Sequence, residues 1–432
     1  MLLSLLDLII GIFLFYALYY AKKRNLQSGY RILISLAFGI GYGFLLRVTP
    51  GDNIIASIKD ILHLFGNGYL SLLKMLVIPL ILTSIIHSIV HLGAGSNEFI
   101  KKMSLTACGM LLGMTAIASL IGLAIGELFH VGKGLVFPAT LEVPATRHYA
   151  GLIDTLLGMI PSNPVAVMAN ENTVAVVIFS VLLGMAARML DAADHEKMET
   201  FRQFIASLFA IVKKLAALIF GLTPYAIISL MSLLIVSQGA ALLTGMLNFI
   251  LAMYVAMTLV IIMHSLILSS IGIHPLSYFK NAIAPLFVAF TTRSSFGTLP
   301  VTEETLRDKF KTNQVVATFV PSLGATIGMN ACAGVFPAML VVMTLSMMHA
   351  PLSMHTVLFV MFINAIASLG ISGIPGAAYI AATVTLTSLN LPFTIIALVQ
   401  GVDPIVDMGR TATNVNGVLA TALVTNKVLG KK

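Results

Sequence analysis

The chain has 432 residues, of which 58% are hydrophobic and only 10% charged, and its formal net charge is +8. Soluble globular chains carry about 25% charged residues; the shortfall here and a mean hydropathy of +0.99 indicate an integral membrane protein. A soluble enzyme, a secreted disulfide scaffold and a single-span receptor are thereby excluded, and about eight to ten membrane spans of about 20 residues are expected.

The first apolar run covers about 2–20 and ends at Lys22, Lys23, Arg24 and Arg31. Its start, MLLSLLDLII, lacks a basic leader region and a small-residue cleavage site, so it reads as a retained span. Further runs cover about 31–48, 62–92 and 103–129, with Lys101 and Lys102 between the last two. The stretch 130–170 is mixed and rich in Pro and Gly, and reads as a loop or broken helix. A run at about 171–189 precedes the charged link DAADHEKMETFRQ, and two long runs follow at about 203–235 and 241–273. With 21–31 placed in the cytoplasm and the N-terminus outside, alternation puts Lys101/Lys102, the link around Asp191–Arg202, Lys280 and the terminal Lys427, Lys431 and Lys432 on the same inner side. The basic excess is therefore read as a topology signal and not as a nucleic-acid footprint.

The last third differs. Four apolar segments, about 282–306, 314–346, 355–388 and 393–425, each carry polar or helix-breaking residues at their centre: TTRSSFGTLP at 291–300, GATIGMNACAG at 324–334, SLGISGIPGAA at 368–378 and DPIVDMGRTATNVNG at 403–417. Gly and Pro free backbone groups that lipid cannot satisfy, so the first and third segments read as re-entrant hairpins with tips in protein or water. Each precedes a long polar-centred helix. Two such hairpin–helix units form the pattern of inverted-repeat transporters, which bind substrate at midplane with broken helices.

The fourth segment carries the sharpest chemistry. Asp403, Asp407, Arg410/Thr411 and Asn414 recur every three to four residues and, at about 100° per residue, share one helix face. Ions in a membrane cost several kcal/mol unless paired or wet. One reading is a structural pair of Asp407 with Arg410; the other is a site for a zwitterion, carboxylate to ammonium and guanidinium to carboxylate. Arg293, beside Ser294 and Ser295, is either a second anion contact or a partner of one aspartate. Thr326 and Asn330 offer oxygen to a hard cation, although an Asn in a membrane helix equally serves as an interhelix hydrogen bond. His264 and His274, near a span end, read as interfacial or packing residues. Cys108 and Cys332 suggest no disulfide framework, and no H-E-x-x-H, Walker A or nucleophile–base motif points to an enzyme or an ATP-driven pump.

At TRSSFGTLP, GISGIPGAA and DMGRTATNVNG, and in the order of its segments from about residue 30 to the C-terminus, the chain resembles the dicarboxylate/amino acid:cation symporter family, which includes the glutamate transporters. Within it the chain looks most like the L-cystine uptake branch. The resemblance implies an all-α polytopic inverted-repeat fold with two re-entrant hairpins and about nine transmembrane helices, assembled as a homotrimer in the cell membrane and working by an elevator motion. It implies an extra N-terminal helix and basic loop over 1–30. Residues 31–280 become mainly scaffold, with the third and sixth family helices joining the transport core, and 281–432 the core itself. The expected partners are a small amino acid, membrane lipid and further copies of the chain. No cofactor is expected, only a coupling ion, Na⁺ with H⁺ as its rival. The other substrate reading is an acidic or neutral amino acid such as glutamate or aspartate.

By motif position, the resemblance gives Asp407 the substrate α-ammonium group. Asn414, Ser295 and backbone around Gly373 take the α-carboxylate, and Arg410 the distal end. Arg293, Ser294, Cys332, Ile374, Pro375, Gly376 and Thr411 complete the substrate set, with Pro375 and Gly376 at an outer gate and Asp403 structural. The implied Na⁺ site uses mainly backbone oxygens near Thr326, Met329, Ser368, Leu369 and Ile371, with Asn330 and Asn414 as further candidates. Departures from the family pattern bear on the ions. The usual Asn-Met-Asp-Gly-Thr stretch reads Gly328-Met329-Asn330-Ala331-Cys332, a cation-binding Asp is replaced by Val418, and an early Tyr and Thr become Leu111 and Met114, leaving Thr115. Fewer coupled Na⁺ ions are expected than in the glutamate carriers.

Overall fold

A computed structural model of the chain describes residues 2–24, 26, 28–49, 53–90, 98–135, 160–170, 173–370, 377–392 and 395–430. Among the described residues the secondary structure is helical and contains no strand. In order, the helices are α1 (Leu2–Lys23), α2 (Ser28–Val48), α3 (Asn53–Val90), α4 (Glu98–Leu128), α5 (Pro164–Ala169), α6 (Thr173–Ala193), α7 (His195–Phe220), α8 (Thr223–Gln238), α9 (Ala240–Ser270), α10 (Pro275–Thr292), α11 (Ser295–Glu304), α12 (Gln314–Gly324), α13 (Phe336–Met347), α14 (Met354–Ala367), α15 (Ala377–Ser388), α16 (Ile395–Gln400) and α17 (Asp403–Leu429). Six of the described helices are long and apolar enough to cross a membrane. The outward faces of α1 carry Leu3, Leu6, Ile9, Ile12 and Phe13, as lipid contact requires.

Two departures from the expected elements have local causes. The run 203–235 is broken after Phe220, because Pro224 has no N–H to offer the Phe220 carbonyl and its ring would clash with it; α7 stops there and a new helix starts at Thr223, with Pro224 in its first turn. The charged link is almost wholly helical. Helices α6 and α7 meet across Asp194 alone, whose carboxylate accepts the Lys197 N–H at 3.1 Å and caps α7. Nearby, Asp191 accepts from His195 at 2.9 Å.

Helices α2, α3, α6, α7 and α8 pack on one another, while α4, α9, α14, α15 and α17 pack around the interrupted helix that α12 and α13 make, and α10 packs on α17. Every residue of α13 is buried except Ser346, so this helix sits at the centre and its sequence is apolar on all sides. α4 approaches it through Gly122, where an added Cβ would lie 2.8 Å from the Val335 carbonyl oxygen.

The two hairpins have the dimensions of re-entrant elements. α11 has 10 residues and spans about 15 Å, half of a hydrocarbon core of about 30 Å. It turns back from α10 at Arg293, which adopts a left-handed conformation (φ 54°). The open end of this hairpin is charged, with Lys280 on one arm and Glu303 to Lys311 on the other. There, at the water boundary, the Arg307 hydrogen bond holds the Asp308 carboxyl below its ordinary value. The second hairpin, α14 and α15, is likewise short, at 14 and 12 residues.

Between α12 and α13 the helix is interrupted at Ala325–Met329 and resumes through a wide π-type turn, Asn330–Val335. Gly328 has φ +70° there, and its N–H donates to the Ser368 carbonyl of the second hairpin at 3.1 Å. A side chain at 328 would be strained by the left-handed backbone and would strike Leu111. Gly328→Ala is therefore expected to destabilise the detergent-solubilised protein by roughly 1–3 kcal/mol. Gly68→Ala, at an exposed helical position with nothing within 4 Å, should leave the unfolding midpoint unchanged or raise it; equal midpoints for the two variants would contradict the packing described.

Candidate functional site

The polar face of α17 is built as its spacing requires. Arg410 is 1% exposed, and its Nη2 donates to Asp403 Oδ1 at 2.5 Å and to Asp407 Oδ1 at 3.0 Å. Its guanidinium lies over the Phe336 ring, 4.3 Å from the centroid, an arrangement favourable to a cation. Both pairings are thus realised on one nitrogen. Among the described residues, Arg410 Nε and Nη1 are buried and have no hydrogen-bond partner. A buried guanidinium N–H left unmade is costly, and a carboxylate acceptor would repay it.

One turn further along, Asn414 serves the interrupted helix. Its Oδ1 accepts the Ala331 N–H at 2.8 Å and the Cys332 N–H at 3.4 Å, and its Nδ2 donates to Cys332 Sγ at 3.0 Å. Asn414 caps the π-turn and keeps one amide N–H for another acceptor. Thr411 is buried beside it.

The first hairpin delivers its tip to the same helix, since α11 packs against α17. Ser294 is the N-cap of α11: its Oγ accepts the Gly297 N–H at 3.0 Å. That bond uses a lone pair and leaves the Ser294 O–H able to donate, while Ser295 occupies the first helical position. Arg293 acts on Asp407 as a second cation. Two carboxylates and two guanidinium groups are therefore gathered around one helix face and one hairpin tip.

The residues expected to serve a cation also meet in part. The Gly328–Ser368 hydrogen bond ties the interrupted stretch that carries Thr326 and Met329 to the second hairpin at Ser368. Thr326 Oγ1 donates to the Leu323 carbonyl at 2.8 Å and retains lone pairs, as a hard monovalent cation needs. The described residues hold no cluster of His, Cys, Asp or Glu fit for a metal ion. Val418 lies against Gly324, so that part of α17 presents hydrocarbon. Ile371, Gly373, Ile374, Pro375 and Gly376 lie outside the described residues.

Other buried polar residues escaped the sequence reading. His264 is neither interfacial nor a packing residue. It is fully buried, and its ring bonds Asn330 at one nitrogen and Asn416 at the other, each at 3.0 Å. The only signal in the sequence is that a polar residue inside an apolar span is expensive and needs a partner. Asn364 joins Ser119, Gly334 and Thr385, and Tyr69 joins Thr223 and Gln400. Asn330 acts as an interhelix hydrogen-bonding residue, with both ends of its amide engaged.

Residues 29–428 match the sodium:dicarboxylate symporter family. Among individual relatives, an uncharacterized symporter of Haemophilus influenzae is 35% identical over the full length of both chains. The L-cystine uptake protein TcyP of Bacillus cereus is 34% identical, over 96% of this chain and 92% of that one. TcyP of Shouchella clausii is 33% identical, over 96% and 91%.

The ion-pair geometry makes a directional prediction about stability. Arg410→Ala removes the one guanidinium bonded to both Asp403 and Asp407 and leaves only Arg293 as a cation near Asp407, while Asp407→Ala leaves Arg410 paired with Asp403. Removing one partner of a buried pair costs about 3–5 kcal/mol when a charge is stranded. Thermal unfolding in detergent should therefore show a larger loss for Arg410→Ala than for Asp407→Ala; the reverse order would mean that Arg410 is not balanced by both aspartates.

Proposed function

The chain belongs to the sodium:dicarboxylate symporter family, and on that premise we propose that it is a secondary active importer of L-cystine, admitting similar bis-amino acids such as cystathionine. The observation that carries this reading is Arg410, a buried cation whose Nε and Nη1 have no partner among the described residues, flanked by two carboxylates on the same face. The names of the Bacillus and Shouchella relatives support the choice of substrate.

In this reading the zwitterion enters the internal ion pair. The α-ammonium group takes Asp407, and the α-carboxylate takes Ser295 at the hairpin tip and the remaining N–H of Asn414. The carboxylate of the distal amino-acid group takes the free N–H groups of Arg410. Each substrate charge meets an opposite charge or an oriented donor in a site screened from water, where such contacts are strongest. Na⁺ accompanies the substrate, held by oxygens near Thr326, Met329, Ser368 and Leu369. The chain assembles as a homotrimer in the cell membrane with its C-terminus in the cytoplasm. The two hairpins, α12, α13 and α17 move as one body with α4 and α9, in an elevator motion against the remaining helices.

The test is labelled L-cystine uptake into proteoliposomes, with an imposed Na⁺ gradient in one arm and an imposed pH gradient in the other, and unlabelled glutamate as competitor. Accumulation driven by Na⁺ and indifferent to glutamate is expected. Accumulation driven only by the pH gradient would replace Na⁺ by H⁺ as the coupling ion. Glutamate uptake without L-cystine uptake would overturn the substrate assignment, since Arg410 can read the distal carboxylate of either molecule. Asp407→Ala should lower L-cystine binding roughly 30-fold or more, the equivalent of about 2 kcal/mol for a lost buried charge pair; undiminished affinity would remove the ammonium assignment.

A further inference from the structure

Three oxygens converge on one nitrogen at the junction of α4 with the interrupted helix. Asn330 Nδ2 lies 3.0 Å from Thr115 Oγ1, 3.1 Å from the Gly328 carbonyl and 3.3 Å from the Leu111 carbonyl. Leu111, Thr115 and Asn330 are all 0% exposed. Backbone carbonyls only accept, so the amide must turn its nitrogen toward them and its oxygen away.

That direction propagates through the protein. Asn330 Oδ1 then needs a donor, and its neighbour at 3.0 Å is His264 Nε2, which must carry the ring proton. His264 Nδ1 is left as an acceptor for Asn416 Nδ2 at 3.0 Å, and Asn416 Oδ1 accepts the Tyr278 hydroxyl at 2.7 Å. One assignment satisfies every member, with His264 neutral and all of these side chains fully buried. Gly417 allows this approach, because a Cβ there would overlap Asn330 Oδ1. The amide cannot flip without leaving two carbonyls facing an oxygen.

A water-excluded set of two carbonyls and a hydroxyl converging on one point is the oxygen environment that a hard monovalent cation takes. Here the point is occupied by a carboxamide nitrogen, which brings partial positive charge and two N–H donors but no net charge. We propose that Asn330 determines ion specificity in this chain: its carboxamide fills the oxygen cage of Leu111, Thr115 and Gly328 and keeps that cage from taking Na⁺. This deepens the symport reading, since it assigns one potential ion position to the protein itself. The cage is separate from the oxygens near Thr326 and Ser368. Replacing the amide by a carboxylate removes the donors, adds a negative charge and sets a fourth oxygen against the three of the cage, so that a cation is needed between them.

The test counts bound ions. Radiolabelled Na⁺ is titrated onto the full-length protein in detergent, without amino acid, at constant ionic strength held with choline chloride. The native chain and Thr115→Val should bind the same number of Na⁺ ions per chain. Asn330→Asp should bind one more, and Asn330→Asp with Thr115→Val should lose that additional ion. Loss of an ion from Thr115→Val alone would overturn the proposal, because the native cage would then be a Na⁺ site. So would an Asn330→Asp protein that elutes at the native size yet gains no ion. If Asn330→Asp does not fold, the comparison of the native chain with Thr115→Val decides by itself. No substrate enters the measurement, so a failure of L-cystine uptake leaves these counts standing, and a failure here leaves the substrate reading standing.

Discussion

A helix that breaks inside a hydrocarbon layer must find partners for its freed backbone groups within the protein, and the organisation around α12 and α13 follows from that requirement. The interruption at Ala325–Met329 frees N–H and C=O groups where no water is at hand. The Gly328 N–H is met by Ser368 of the second hairpin, and the Ala331 and Cys332 N–H groups by Asn414 of α17. The Gly328 and Gly334 carbonyls are met by the amides of Asn330 and Asn364. Those two amides also bond Thr115 and Ser119, one turn apart on α4. Three asparagines and one hairpin carbonyl thus hold the break open. An amide suits the task because it supplies acceptor and donor from one uncharged group.

The same economy governs the charges. Arg410 finds both counter-charges on its own helix, at three and seven residues' separation, and rests on the Phe336 ring. A pair formed within one helix survives any motion that carries that helix as a unit, whereas a pair formed across a moving boundary would break and strand charges in lipid at a cost of several kcal/mol each. Pairing within one helix is for this reason compatible with a motion of that helix as a unit.

Much of this was legible in the sequence because it is local. The polar stripe of α17 lies within twelve residues, so spacing alone puts Asp403, Asp407, Arg410 and Asn414 on one face. The hairpin turn at Arg293–Ser294 is announced by a Ser-rich, Gly- and Pro-bearing tip. The helix break that Pro224 causes after Phe220 and the cap at Asp194 also have local causes, but each is a single residue inside a long apolar or charged run, and the runs overrode them. The buried network was hidden for a different reason. His264 and Asn416 are 152 residues apart, and Asn330 and Thr115 are 215 apart. No periodicity links such residues; only the packing of α4, α9 and α17 does.

Side-chain identity in that network has consequences that composition cannot express. Asn330 and an aspartate at the same place have nearly the same shape but opposite demands. The amide turns two donors toward the oxygens of α4 and needs a donor behind it, which the neutral His264 provides. A carboxylate would put an oxygen where the amide nitrogen now sits and would need positive charge between it and the oxygens it faces. Reading Asn330 as either a cation ligand or an interhelix hydrogen bond left two roles that exclude each other here, because one point cannot hold both the amide nitrogen and an ion. The two backbone carbonyls decide between them: they accept only, they are fixed by the fold, and they are already satisfied.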